Sequence, residues 1–253
     1  MSKGSVYLLL LEKSKSKKLC LPLIDPVNFM DLSKLDTTIS SLDVRFIDAF
    51  LVGGSTLAAQ EDIDRVIEFI KGKIDRPLII FPNNVGSISK KADAILFMML
   101  MNSSLTYYLV EAQVLASPLI ERYRLETIPT GYVVINADSA VSFIGHARPI
   151  PPIPELVSLY VIAAKHYGFK VVYLEGGSGT SSPITPEIVK ESKKWFPGLL
   201  FVGGGITSAE RAQELALAGA DGLIIGNLIE KKNGPERFNE ICKELAKIKS
   251  QDV

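Results

Sequence analysis

Eight short apolar runs recur along this chain, and segments with helical spacing of apolar residues separate them. The runs occupy residues 19–24, 49–52, 77–81, 94–100, 131–135, 170–174, 199–202 and 222–225. They are rich in Val, Ile, Leu and Phe without strict alternation, as strands covered on both faces should be. Between them, residues 61–73 carry Ile63, Val66, Ile67 and Ile70 on one helical face, and residues 155–167 carry Leu156, Leu159, Val161, Ile162 and Ala163. Residues 185–194 open with Thr-Pro-Glu: an N-cap, a proline at the first helical position and an acidic first turn. Residues 208–217 and 235–249 complete the helices. Alternating strands and helices call for a parallel α/β architecture. Eight units favour a closed (β/α)8 TIM-type barrel over an open sheet, and 253 residues is an ordinary length for one. With no linker and no short-period repeat, residues 1–253 read as one barrel domain.

Two segments depart from the alternation. An extra apolar run over residues 5–11 precedes the first strand and is expected to form a short extra strand or a plug at the barrel floor. Residues 105–130 look helical, whereas residues 137–154 form a long connection. Pro149, Pro151, Pro152 and Pro154 exclude a regular helix there, so a lid or an oligomer contact is expected.

Lys+Arg and Asp+Glu are equal at 28 each, so nothing in the global charge calls for nucleic acid or an anionic membrane. The basic run at residues 13–18 reads as a solvated loop. Two cysteines, Cys20 and Cys242, one in an expected strand and one in an expected helix, argue against a disulfide framework or a thiolate metal site. Residues 6–11 are too short an apolar stretch for a signal peptide, and residues 94–101 too short for a transmembrane span. A cytoplasmic protein is expected.

The chemistry gathers at strand ends. Three consecutive strands end in Tyr173-Leu174-Glu175-Gly176-Gly177-Ser178-Gly179, in Gly203-Gly204-Gly205 and in Gly226-Asn227. Glycines there let backbone N–H groups approach an anion, and a following helix N-terminus favours negative charge. Barrels of this kind commonly bind phosphate on their last strands. A phosphorylated small molecule is therefore the expected ligand; the plainer account is that the glycines only make tight turns. Asp25 ends the first strand, and Ser55 and Thr56 follow the second. A carboxylate beside a hydroxyl is a foothold for Mg²⁺, which takes few protein oxygens and fills its shell with water and phosphate. The plainer account of Asp25 is a cap or loop hydrogen bond. Glu175, inside the glycine motif, is placed to accept a proton from a substrate hydroxyl, against the alternative of a salt-bridged surface glutamate. Two histidines, His146 and His166, are too few for a zinc site, and neither a P-loop nor a GxGxxG motif precedes a helix.

Taken together, IDP at 24–26, VGGS at 52–55, YLEGGSG at 173–179, GGGI at 203–206 and GN at 226–227 resemble the geranylgeranylglyceryl phosphate synthase family, and its larger archaeal-type subgroup in particular. The resemblance implies a (β/α)8 barrel that joins sn-glycerol 1-phosphate to geranylgeranyl diphosphate through an ether bond and releases diphosphate, in archaeal membrane lipid synthesis. It assigns Mg²⁺ to Asp25 and Ser55. It assigns glycerol 1-phosphate to Tyr173, Leu174, Glu175, Gly176, Gly177, Ser178, Gly179, Gly204, Gly205, Gly226 and Asn227, with Glu175 as the base. The family often shows Lys-x-His before the first-strand Asp; here residues 17–22 read KKLCLP, which leaves Lys18 as a candidate diphosphate contact. The apolar fourth strand and Tyr107-Tyr108-Leu109-Val110 are candidates for a prenyl trench. The resemblance further implies a homo-oligomer that touches membranes only peripherally, through its lipid substrate and product. Two other classes fit the phosphate motifs: a phosphosugar isomerase or lyase barrel, and a non-catalytic phosphate-binding barrel.

Overall fold

The computed structural model describes residues 5–54, 58–135, 139–177 and 184–249. Eight strands, β1 (Leu19–Ile24), β2 (Phe50–Gly53), β3 (Leu78–Phe81), β4 (Ala94–Leu100), β5 (Glu126–Val134), β6 (Val171–Glu175), β7 (Leu199–Gly203) and β8 (Gly222–Ile225), form a closed parallel barrel in chain order. β8 closes onto β1, pairing Leu21 with Ile224 and Pro22 with Ile225. The described helices are α1 (Ser5–Ser14), α2 (Leu32–Ser40), α3 (Gln60–Lys71), α4 (Ala112–Tyr123), α5 (Ala140–Ile144), α6 (Pro154–His166), α7 (Pro186–Trp195), α8 (Ala209–Leu217) and α9 (Gly234–Leu245). The expected Thr185 cap forms, with its hydroxyl accepting from the Ile188 amide at 3.4 Å. No described helix is long and apolar enough to cross a membrane.

The period-2 pleat divides the strand residues between two cores. Cys20, Ile24, Val52, Ile80, Val172, Leu174, Leu200 and Val202 face the helices. Leu19, Leu21, Leu51, Ile79, Leu96, Tyr132, Tyr173, Leu199, Phe201 and Ile224 fill the barrel interior. Because Tyr173 points inward, so does Glu175 two residues later, at the C-terminal rim.

Four expectations need correcting. The extra run near the N-terminus is helix α1, not a strand: β1 is already paired on both sides, by β2 and β8, so no free edge was left for another strand. A helix satisfies its own backbone bonds, and Val6 and Leu10 of α1 join the interior core as a floor plug. The buried Glu126 carboxylate accepts from the first-turn amides of Val6 and Tyr7, both at 2.9 Å, and ties the plug to β5. Second, the helical reading of residues 105–130 runs too far. A π-helical turn (Tyr107–Glu111) and α4 end at Arg124 in the left-handed region (φ 53°), and β5 begins at Glu126 because β4 offers it a full-length partner. Third, the 137–154 connection does contain a helix, α5, placed before its prolines; Pro154 then opens α6 as its first residue. Fourth, Cys20 and Cys242 are bonded as a disulfide, with Cα atoms 5.4 Å apart. A 222-residue separation carries no sequence signal of contact; closure of the barrel brings β1 beneath α9.

Candidate functional site

A polar cavity of about 570 Å³ opens at the C-terminal ends of the strands, a size ordinary for a small-molecule site. Asp25, Glu175, Gly204, Gly205, Gly226 and Asn227 all line it. The loops after β1, β6, β7 and β8, far apart in sequence, are thus brought to one chamber. Ser55, Ser178 and Gly179 lie outside the described residues. Leu174 alternates outward into the helix-facing core, so only its backbone lies near the chamber. Lys18 is at the wrong end: it precedes β1 at the barrel floor, is 6% exposed and has Asp221 and Lys193 for charged neighbours. A diphosphate contact from Lys18 is therefore ruled out.

Glu175 is held from several sides. The Tyr173 hydroxyl donates to Oε2 at 2.6 Å, and the Gly177 amide donates to Oε1 at 2.5 Å. Tyr132, which pairs with Tyr173 across β5 and β6, contributes a second hydroxyl. Burial pushes the Glu175 carboxyl above the ordinary glutamate range, and these hydrogen bonds draw it part of the way back. Burial, followed by the Glu175 charge, raises both tyrosines well above the usual phenol value, so they remain donors at neutral pH. A Cβ on Gly203 would stand 2.1 Å from the Tyr173 hydroxyl, so glycine there makes room for the donor to Glu175.

The strand-end glycines differ in what they make room for. Gly204 has φ +88°, and a Cβ there would lie 2.6 Å from both Glu175 Oε1 and the Gly177 amide. Gly226 is relaxed, with only ordinary 3.6 Å contacts to Leu23 awaiting a Cβ. Its glycine is not needed for the turn.

Asp25 both caps and lines. It opens the 3-10 turn Pro26–Phe29, accepts from the Val27 amide at 3.1 Å, and faces the chamber. A Cβ on Gly54 would come within 2.4 Å of Asp25 Oδ2, so the β2 loop packs directly on this carboxylate. Among the described residues no group of three or more His, Cys, Asp or Glu forms a cage. The Asp25 carboxylate would offer Mg²⁺ one of the few protein oxygens that it takes.

A second, apolar cavity adjoins the first. Leu96, Met98, Tyr108, Ala116 and Ile120 line it, and Gly54, Phe81, Tyr132 and Val141 border both cavities. The fourth strand and Tyr108 thus do more than pack a core. The α5 segment roofs this trench with Val141 and Ile144. It is anchored through Asn102, whose Nδ2 donates to the Arg148 carbonyl at 2.8 Å, and through Ser103, whose hydroxyl donates to the Gly145 carbonyl at 2.7 Å. Sequence reasoning missed Phe81, Tyr132, Asn28 and Glu230 at the chamber. Phe81 and Tyr132 read as core residues, and only the barrel register shows what they face.

Against known proteins, a model of the PcrB family matches residues 15–247. The chain is 42% identical over 237 residues to the geranylgeranylglyceryl phosphate synthase of Sulfolobus acidocaldarius, spanning 93% of this chain and 91% of that one. It is 45% identical over 227 residues to the enzyme of the same name from Methanopyrus kandleri, spanning 89% and 93%. The crystal structure of (S)-3-O-geranylgeranylglyceryl phosphate synthase from Thermoplasma acidophilum, in complex with sn-glycerol-1-phosphate, superposes with a TM-score of 0.90 at 33% identity, covering 98% of this chain and all of that one.

The two glycine environments predict different outcomes. Gly226→Ala should melt with the wild type yet bind sn-glycerol 1-phosphate about tenfold more weakly in calorimetry, because the added methyl crowds the approach of the phosphate to the backbone amide, which itself remains. Gly204→Ala should lower the melting temperature as well. Unaltered affinity in folded Gly226→Ala would remove that glycine from the phosphate site.

Proposed function

This chain belongs to the PcrB family and is a prenyltransferase of archaeal lipid synthesis, and on that premise we propose how its residues divide the work. The substrates are sn-glycerol 1-phosphate and geranylgeranyl diphosphate. The phosphate of the first is held by the loops at Gly176-Gly177, Gly204-Gly205 and Gly226-Asn227. Its 3-hydroxyl is turned towards Glu175. The prenyl chain of the second lies in the trench along β4 and α4, with its diphosphate towards Asp25. The observation that carries this reading is the position of Glu175, a part-buried carboxylate that lines the polar chamber and is held by Tyr132, a residue bordering both that chamber and the apolar trench.

The steps balance simply. The 3-hydroxyl oxygen forms a bond to C1 of the prenyl chain as the C1–oxygen bond to diphosphate breaks. Glu175 Oε1 or Oε2 takes the hydroxyl proton, and diphosphate leaves with the bonding electrons. Tyr132 and Tyr173 hold the carboxylate in place before and after that transfer. Asp25, with Ser55, is the proposed holder of Mg²⁺, which when bound supplies charge neutralisation on the leaving diphosphate. Fixing both substrates in a water-poor site supplies much of the acceleration. The isomerase, lyase and binding-only readings are disfavoured because the close relatives are named synthases, whereas barrels such as a Pyrococcus furiosus tryptophan synthase α-subunit share only the fold at 13% identity.

The same reading makes the chain a cytoplasmic homo-oligomer. The cytoplasm retains charged metabolites such as glycerol phosphate. An oligomer has support in the exposed apolar residues Val114 and Leu115 on α4, Phe143 on α5 and Leu159 on α6, with Phe143 85% exposed. Light scattering should return at least twice the chain mass; a monomer at micromolar concentration would sink this part.

Glu175→Gln tests the base. It keeps shape and loses basicity, so single-turnover chemistry should fall by about 10²–10⁴ while glycerol phosphate affinity changes little. The base works ionised, and its pKa is raised, so the acid limb of the kcat/KM profile should lie above the ordinary glutamate value. Tyr173→Phe removes a bond that lowers this pKa and should push the limb higher still. Near-wild-type chemistry in the Gln variant would pass the proton to another acceptor.

Asp25→Ala tests the metal side. Turnover should collapse and its dependence on Mg²⁺ concentration should be lost, with calorimetric glycerol 1-phosphate binding almost intact. Equal loss of both substrates' binding would point instead to a collapsed turn.

A further inference from the structure

Where the paired strands β1 and β8 end, their two loops continue outward side by side. The β1 loop is the Pro26–Phe29 turn, capped by Asp25; the β8 loop passes through Gly226 and Asn227 to Glu230. The β8 loop is firmly seated. Leu228 and Ile229 are buried, and the Ile229 amide donates to the Gly226 carbonyl at 3.0 Å. The β1 turn is seated only in part, because Pro26 and Phe29 are buried while Val27, Asn28 and Met30 face solvent. A side-chain bond joins the two loops: Asn28 Nδ2 donates to Glu230 Oε1 at 3.1 Å, across 202 residues of chain. The Lys34 ammonium donates to the Asn28 carbonyl at 3.0 Å and steadies the same residue from behind. Asn28, Glu230, Asp25, Gly226 and Asn227 all line the polar chamber.

We propose that Glu230 is a positioning residue, which through Asn28 clasps the Asp25 turn to the phosphate loop and so sets the register between the two phosphorylated substrates. The inference rests on the reading above, in which Asp25 serves the diphosphate and Gly226-Asn227 the glycerol phosphate. The β8 loop is anchored independently of the clasp, so cutting the clasp loosens the Asp25 side and leaves the other pocket in place. Glu230 touches neither reacting atom. Its effect therefore falls on how well the prenyl diphosphate is held, and through that on alignment.

A double-mutant cycle on the full-length enzyme tests the clasp. Glu230→Ala and Asn28→Ala should each raise KM for geranylgeranyl diphosphate about tenfold, the effect of losing one hydrogen bond to a charged group. Calorimetric affinity for glycerol 1-phosphate and the melting temperature should stay at wild-type values. The double variant should be no worse than either single one, because both remove the same bond. Glu230→Gln, whose amide oxygen still accepts from Asn28, should recover most of the loss. Additive effects in the double variant, or a Gln variant as impaired as Ala, would overturn the clasp, as would a KM that does not move. Asp25→Ala assayed alongside keeps two failures apart. Unchanged kinetics there remove the diphosphate role of Asp25, whereas additivity at Asn28 and Glu230 removes the clasp and leaves that role standing.

Discussion

The pairing of β8 with β1 is the contact on which the rest of this molecule depends. It turns an open sheet with two exposed edges into a barrel with none. With no edge left, the N-terminal apolar segment had to find another way to satisfy its backbone, and it became a helix whose apolar side plugs the floor. The same seam carries the first and last strand ends out together, so that Asp25 and Gly226 border one chamber although 201 residues separate them in sequence. On the outer side of that seam the Cys20–Cys242 bond fastens β1 to α9. Closure is thus supported by strand hydrogen bonds inside the wall, a covalent bond behind it and the Asn28–Glu230 bond above it.

Inside the barrel the side chains change character from floor to rim. Val6, Leu10, Leu19 and Leu199 make the lower interior apolar. Above them Phe81, Tyr132 and Tyr173 pack edge to face or tilted, with ring centroids 5.1 to 6.0 Å apart. These rings exclude water from below, and two of them lift a hydroxyl to the next layer. Glu175 sits on those hydroxyls. A carboxylate buried without partners would cost several kcal/mol or stay protonated. Here two phenols and one amide offset part of that cost, which leaves its pKa raised and the group still able to ionise. The base proposed above needs that balance: too many donors would leave it inert, and too few would leave it neutral.

Much of this was legible in the sequence, and the parts that were not share a physical cause. Apolar periodicity located all eight strands, and those at residues 19–24, 94–100 and 222–225 had the correct ends, because buried parallel strands are marked by continuous branched residues. Glycines at strand ends pointed to the chamber because backbone geometry restricts what else fits there, as Gly204 illustrates with its positive φ. What depends on register was hidden. Tyr132 became a chamber residue only through its pairing with Tyr173. Lys18 was misplaced because it was carried over from a family motif, although its place before β1 in a parallel barrel puts it at the N-terminal floor, beside Asp221 and Lys193. The disulfide and Glu230 were invisible because their partners are 222 and 202 residues away. The resemblance of the motifs to a known family supplied the identity of the substrates, which periodicity and spacing do not contain.

On the proposed reading, the border between chamber and trench lets one barrel handle such unlike substrates. A phosphate needs amides and polar surface, and a prenyl chain needs neither; each would be poorly held in the other's compartment. The two reacting atoms are the points at which each substrate changes character. The glycerol 3-hydroxyl is the end farthest from its phosphate, and the allylic carbon is where apolar chain meets diphosphate. On that reading, binding each substrate by its own chemistry brings both reacting atoms to the border, beside Phe81 and Tyr132. Glu175, held by Tyr132 and Tyr173, lines the polar side of that border. On the proposed reading, the selectivity of the two compartments and the alignment of the reaction have one origin: the change from polar to apolar lining across a single layer of aromatic residues.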